Sequence, residues 1–315
     1  MIWYKGGSII AQKKTQFKIV FAGLDNSGKT SILYALEDKF SLLNPSPTMG
    51  IERDTFEALG FPITRWDLGG QTKFRATYLG NERTFADTDL MFFILDIQDR
   101  SRFGDAGEYY EHILGMFEKL NQDPPIILCF HKADPDLKED DRILSNIQVA
   151  KQVFRRKSRY FTVQMFETTI FEKWSLILAF SKGLLKLSPK SIILDQQLQG
   201  FAEQLNSQTV LLLDENALLF GQYFQDKESY EICQIVSPHL ATMADKVIKH
   251  GATFDLFQVK MGGGAGWVFF RDISIEDKRF YLIAHNTKAD NIRLIDENLP
   301  QFEQKVTNTI KSFFI

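Results

Sequence analysis

From Gly23 to Thr30 the chain reads Gly-Leu-Asp-Asn-Ser-Gly-Lys-Thr: a glycine, four residues, then Gly-Lys-Thr. That spacing suits phosphate binding. The glycines let the main chain curl so that the N–H groups of Asp25, Asn26, Ser27, Gly28, Lys29, Thr30 and Ser31 converge on an anion. A helix starting near Lys29 aims the positive end of its dipole at the same place. The Lys29 ammonium can reach the β- and γ-phosphates, and the Thr30 hydroxyl is a ligand for Mg²⁺.

Two further stretches supply what a triphosphate site needs. In Trp66-Asp67-Leu68-Gly69-Gly70-Gln71, Asp67 is expected to reach Mg²⁺ through water. The Gly70 N–H is placed to meet the γ-phosphate, and Gln71 to orient an attacking water, with Lys29 stabilising the developing charge. In Pro47-Thr48-Met49-Gly50, the Thr48 hydroxyl completes the Mg²⁺ shell only when a γ-phosphate is present. Contacts of that kind order loops with the triphosphate and release them after hydrolysis. His131-Lys132-Ala133-Asp134 is the candidate base site. Asp134 can accept two hydrogen bonds from the guanine edge, a pair adenine does not offer. At ~1.5–3 kcal/mol each, these bonds give a preference on the order of 10²–10⁴ for guanine.

These residues need a scaffold. Residues 17–23, 61–66, 90–96 and 125–130 read as strands, the last two as continuous apolar runs expected of strands buried on both faces. Helical spacing covers 30–40, 106–120 and 170–186, with a last strand at 160–165. Strand–helix alternation implies a mostly parallel sheet covered by helices. It stops at Ser188-Pro189. Beyond lie a helix over 191–205, a hairpin of 209–213 and 217–224, and a helix over 232–250. Strands near 254–261, 267–272 and 280–284 and a helix over 291–313 complete the chain. The reading is a nucleotide-binding α/β domain, 16–187, after an arm, 1–15, and a smaller α/β domain with an antiparallel sheet, 188–315.

The bulk numbers agree. The chain has 315 residues, 44% hydrophobic and 24% charged, enough apolar content for sizeable cores. A net charge of -3 argues against a protein that coats nucleic acid. Cys129 and Cys233 have no metal-ligand spacing and suggest a reducing compartment. No run reaches the ~18 apolar residues that cross a bilayer. Ile2 stands where N-myristoylation requires glycine. The expected setting is cytoplasmic, at most peripheral on the cytosolic face of a membrane.

Several sharp readings give way to plainer ones. Met261 to Gly266 is glycine-rich, but no lysine follows, and a turn between strands accounts for it. Arg155, Arg156, Lys157 and Arg159 read as the solvated end of a helix. His112, His239, His250 and His285 lack ligand spacing. The apolar positions of 232–250 are read mostly as core, with an exposed partner stripe as the alternative.

The motifs resemble those of Ras-superfamily small GTPases. GLDNSGKTSIL, PTMGIE, WDLGGQ and ILDIQDRSRF are similar to the Arf family, whereas an HKxD base motif and a long C-terminal extension are similar to Rag/Gtr-type GTPases. YFTVQMFETTIFEKWSLIL and FAEQLNSQTVLLLDENALLF resemble the Rag segments at the domain junction. The resemblance implies a P-loop GTPase domain followed by a roadblock/longin-like dimerisation domain. It also implies GTP or GDP with Mg²⁺ as ligands, and a homo- or heterodimer. GTPase-activating and exchange factors, and roadblock-type proteins, are the further partners it implies, with no nucleic acid. It places Val163-Gln164 where a backbone N–H helps read guanine, making Gln164 a base-site candidate. His131, standing for an asparagine amide, is expected to brace the base loop more weakly. No arginine is assignable in cis, so a slow intrinsic rate is expected. Two rivals remain: a nucleotide-binding scaffold without hydrolysis, and an Arf-like membrane-traffic GTPase.

Overall fold

The computed structural model describes residues 16–36, 48–59, 61–188, 191–253, 256–275, 278–287 and 291–313. The arm 1–15, Pro47, Pro189 and the end of the helix expected to reach Phe40 lie outside the described residues.

The first sheet contains β1 (Phe17–Ala22), β2 (Ile51–Ala58), β3 (Phe61–Leu68), β4 (Leu90–Asp96), β5 (Ile126–His131) and β6 (Val163–Thr168). Their order is β2-β3-β1-β4-β5-β6. All neighbours are parallel except β2, which runs antiparallel to β3. The period-two alternation of a strand decides which helices cover each face. Ile19, Phe21, Phe92, Ile94 and Ile127 point towards α1 (Lys29–Leu36) and α5 (Lys173–Leu185). Val20, Met91, Phe93, Leu128 and Phe130 point towards α3 (Phe103–Lys119) and α4 (Asp141–Lys157). A short α2 (Thr72–Leu79) follows β3.

The C-terminal domain begins with α6 (Ser191–Leu205). It continues through β7 (Thr209–Asp214), β8 (Leu219–Phe224), α7 (Lys227–Lys249), β9 (Leu256–Lys260), β10 (Trp267–Ile275), β11 (Lys278–Asn286) and α8 (Asn291–Phe313). Its strands form an antiparallel sheet ordered β8-β7-β11-β10-β9. α6 and α8 cover one face through Leu198, Phe201 and Phe302, and α7 covers the other through Cys233, Leu240 and Ala244. The two sheets share α5. Its Phe180 and Leu184 pack with Phe92, while Trp174 and Ile177 pack with the α7 side of the second sheet.

Several sequence expectations need correction. β2 and α2 carry no expected element, because β2 (IERDTFEA) is a largely exposed edge strand and α2 buries only Tyr78. β6 starts at Val163, three residues later than expected. α7 starts at Lys227, five residues earlier, because Asp226 caps it by accepting the Ser229 N–H at 2.7 Å. α4 was legible only at its basic end, where Lys157 pairs with Glu111 and Arg159 with Glu118. Met261–Gly266 is the turn between β9 and β10, closed by Met261 N–H on Gly266 O at 2.8 Å. His285 is a satisfied core histidine between Ser229 and the Ala265 carbonyl.

Candidate functional site

β1 ends at Ala22, and the loop after it is held tightly. Gly23 has φ 147°, and a Cβ there would lie 2.3 Å from Ile94 O, so glycine is required. α1 starts at Lys29, whose side chain is 5% exposed. Its Nζ donates to the carbonyls of Gly23 at 3.2 Å and Leu24 at 2.8 Å. Burial pushes this ammonium down to about 8, against the pull of Asp67 and Asp25. Two more cations fix the crown of the loop. Arg102, before α3, donates through Nη1 to Asp25 O at 2.8 Å and through Nη2 to the Asp25 carboxylate. Partial burial raises the Asp25 carboxyl, but Arg102 holds it below its usual range. Lys132 Nζ donates to Asn26 O at 2.9 Å.

Beside the loop, three oxygen-bearing side chains meet. Thr30 Oγ1 and Thr48 Oγ1 lie 3.1 Å apart, and each donates to Asp67 Oδ2 at 3.2 Å. Asp67 is 2% exposed, and its Oδ1 is buried without a partner. Burial raises the Asp67 carboxyl, opposed by Lys29 and by the two hydroxyls. An unpartnered buried carboxylate oxygen beside two hydroxyls is a hard-oxygen donor set suited to Mg²⁺. It is too small to be a cage by itself, which fits a cation shared with phosphate oxygens and water. Among the described residues no cluster of three His, Cys, Asp or Glu could hold a metal alone.

β3 delivers Asp67, and the chain then runs directly over the phosphate loop. Gly69 N–H bonds Gly50 O at 2.9 Å, and a Cβ on Gly70 would lie 2.1 Å from Asp25 N. Gln71 sits at the N-cap of α2 with extended backbone, its side chain making no cap bond.

β5 ends at His131, which is 2% exposed. Its Nδ1 lies 3.1 Å from Thr168 Oγ1, and its ring packs on Gly28, where a Cβ would lie 2.4 Å from Cδ2. Burial, with Lys132 adding to it, pushes the imidazole down to about 4, so it is neutral at physiological pH. The ring thus packs against the phosphate loop at Gly28 and bonds to β6 at Thr168. Lys132 also pairs with Asp96. Asp134 accepts from Thr169 Oγ1 at 2.6 Å and from Gln98 Nε2 at 3.0 Å. Gln164 needs correction. It pairs with Ile127, whereas His131 pairs with Thr168. Four residues of strand, ~13 Å, thus separate it from the base loop. Thr168 and Thr169 stand in its place.

The phosphate loop, the oxygen cluster and the base loop all lie at the carboxyl ends of β1, β3 and β5, one edge of one sheet. Residues 18–237 match the family model of the Gtr1/RagA G protein conserved region. The chain belongs to the Gtr1/RagA G-protein family. It is also similar to the solved Arl6 BBS3 small GTPase from Trypanosoma brucei with bound nucleotide analogue GppNp. That similarity is 20% identity at a TM-score of 0.45, over 55% of this chain and 98% of the other.

In this Gtr1/RagA-family chain, sequence reasoning missed Gln98, Arg102, Thr168 and Thr169. Gln98 and Arg102 lie in ILDIQDRSRF, the run that ends β4 and continues past it. Because β4 neighbours β1, that run had to pass the phosphate loop, and this adjacency was the available signal.

Proposed function

We propose that the protein is a GTP-binding and slowly GTP-hydrolysing switch that dimerises through its C-terminal domain. The observation that carries this reading is the Thr30–Thr48–Asp67 cluster, with its unpartnered Asp67 Oδ1, set against the Lys29 loop. The nucleotide-binding unit is 16–187, the arm 1–15, and the roadblock/longin-like unit 188–315. Asp134 selects guanine while His131 and Lys132 hold its loop against the phosphate loop. Bound Mg²⁺, held by Thr30, Thr48 and Asp67, would neutralise phosphate charge. Lys29 binds the β- and γ-phosphates, Gly70 N–H meets the γ-phosphate, and Gln71 orients water for in-line attack. Arg102 reaches the loop but is committed to Asp25 by two bonds, which supports a slow intrinsic rate. A partner that supplies an arginine would accelerate hydrolysis by ~10³–10⁵. No helix among the described residues is long and apolar enough to cross a membrane.

Dimerisation rests on α7 and β9. Ile235 on α7 is 68% exposed, and β9 ends the sheet with an edge unpaired among the described residues. An exposed isoleucine on α7 and an open sheet edge each suit a second copy or a related chain.

Filter binding with labelled nucleotides tests the core reading. GTP should be retained, displaced by GDP and not by ATP, and lost in Lys29→Ala. Single-turnover phosphate release should proceed at a rate on the order of 10⁻⁴–10⁻² s⁻¹. Tight GTP binding with no release above buffer would favour the non-hydrolysing scaffold.

A further inference from the structure

The β2–β3 hairpin runs from the nucleotide site to the C-terminal domain. Its open end carries the oxygen cluster: Thr48 lies three residues before β2, Asp67 is the penultimate residue of β3, and Gly70 follows. Near its closed end, Ala58 and Leu59 pack against the C-terminal domain. Ala58 is 1% and Leu59 0% exposed, and both belong to the apolar cluster that includes Leu212, Leu218 and Phe280. At ~3.3 Å per residue, two eight-residue strands make a lever of about 25 Å.

Polar contacts fix that closed end. The Leu59 N–H, on a residue with φ 50°, donates to Asp214 Oδ2 at 2.9 Å. The other oxygen, Asp214 Oδ1, accepts from Asn216 N–H at 2.9 Å and Leu218 N–H at 2.8 Å, which shapes the turn between β7 and β8. Glu57 forms an ion pair with Lys278 at the start of β11, and its carbonyl accepts from Asn216 Nδ2 at 3.5 Å.

A turn of this kind needs only one side-chain oxygen, and serine or asparagine would serve. A fully buried carboxylate is a costly way to make it. What the carboxylate adds is its second oxygen, and that oxygen holds the first domain.

We propose that Asp214 is a positioning residue for the nucleotide site, anchoring the closed end of the hairpin whose open end presents Thr48, Asp67 and Gly70 to the phosphates. The inference rests on the GTP-binding reading and extends it. When Thr48 and Gly70 engage a γ-phosphate, the hairpin adjusts against β1, and the hold of Asp214 on Leu59 adjusts with it. Coupling is reciprocal, so the state of the C-terminal domain biases the choice between GTP and GDP.

Hydrogen exchange on the full chain, with GDP and then with a non-hydrolysable GTP analogue, tests this. In the unmutated protein the β7–β8 turn should exchange several-fold differently in the two states. Asp214→Asn sets an amide N–H₂ against the Leu59 N–H. It should abolish that difference and change the ratio of GTP to GDP affinity by about 5-fold or more, the low end of typical coupling. Lys278→Met should shift the ratio in the same direction by less.

Identical exchange of the turn in both states overturns the proposal. So does an equal weakening of both nucleotides in the variants, since a purely structural residue would act that way. If Asp214→Asn fails to fold, the wild-type exchange and Lys278→Met decide. Failure to bind either nucleotide instead overturns the GTP-binding reading, and this inference with it.

Discussion

Alkaline pH should weaken GTP binding through Lys29 well before it reaches the ordinary range of a lysine. The ammonium is buried against its own loop carbonyls, and burial pushes it to about 8. A bound triphosphate adds negative charge beside it and keeps it protonated at higher pH. Above pH 8 the free protein therefore holds fewer protons than the complex, binding takes one up, and affinity falls as pH rises. With one such group, affinity scales as 1/(1 + 10^(pH−8)). Between pH 7 and 9 that is about a 10-fold loss, or ~1.4 kcal/mol.

Titrating a fluorescent GTP analogue at pH 7, 8 and 9 measures it, with Lys29→Met as reference. The guanine ring proton begins to ionise in this range in both proteins and cancels in the ratio. Wild-type affinity should fall towards that of the variant as pH rises. A wild-type-to-variant ratio that stays constant from pH 7 to 9 would refute the reasoning. The ammonium would then be either well solvated in the free protein or not the partner of the phosphates.

Three other outcomes are expected. The His131 imidazole is held down at about 4 against 6.5 when unfolded, so its contribution is complete above pH 6.5 and fades as pH falls through 4. In urea unfolding, the stability difference between wild type and His131→Asn should shift by about 2 kcal/mol against the wild type between pH 7 and 5, the variant cancelling other groups that titrate there. Asp134→Asn should cut the preference for GTP over ATP by about 10²-fold, from two charge-assisted bonds at ~1.5 kcal/mol each, measured by competition. Ile235→Glu should convert dimer to monomer in light scattering without changing nucleotide affinity. A variant that remains dimeric removes α7 from the interface.

Chemistry was more legible than scaffold wherever a residue type has one job at one spacing. Lys29, Thr30 and Asp67 stood out as candidates because glycines, a lysine and an acid at the end of an apolar strand leave little else to read. β4 and β5 were clear for a similar reason, being apolar on both faces. β2 was not, because an edge strand with Glu52, Arg53, Asp54 and Thr55 exposed carries no hydrophobic period. Gln164 was misplaced for a physical reason too. An ungapped reading of the junction ignores that β6 must pair with β5, and that pairing brings Thr168 to His131. Asp214 looked like an ordinary turn residue, since only three dimensions place Leu59 beside it.

The two domains are separated by sheet, not by core. α5 is apolar on nearly every side: Leu176, Phe180 and Leu184 serve the first sheet, while Trp174 and Ile177 serve the second. Buried Ser181 accepts the Leu219 N–H at 2.8 Å through its hydroxyl, so a polar tie crosses the same seam. Baring Trp174 and Ile177 alone would forfeit ~1.5–3 kcal/mol each. That is a large fraction of a marginal folding free energy of ~5–15 kcal/mol. The first domain is thus completed by the second. α5 and the hairpin tip are two separate places where that completion happens, one beside the last strand of the nucleotide sheet and one at its β2 edge. α5 also stacks on β1 through Phe180 and Phe21, so β1 with its phosphate loop is the frame against which Thr48, Gly70 and the hairpin tip would move.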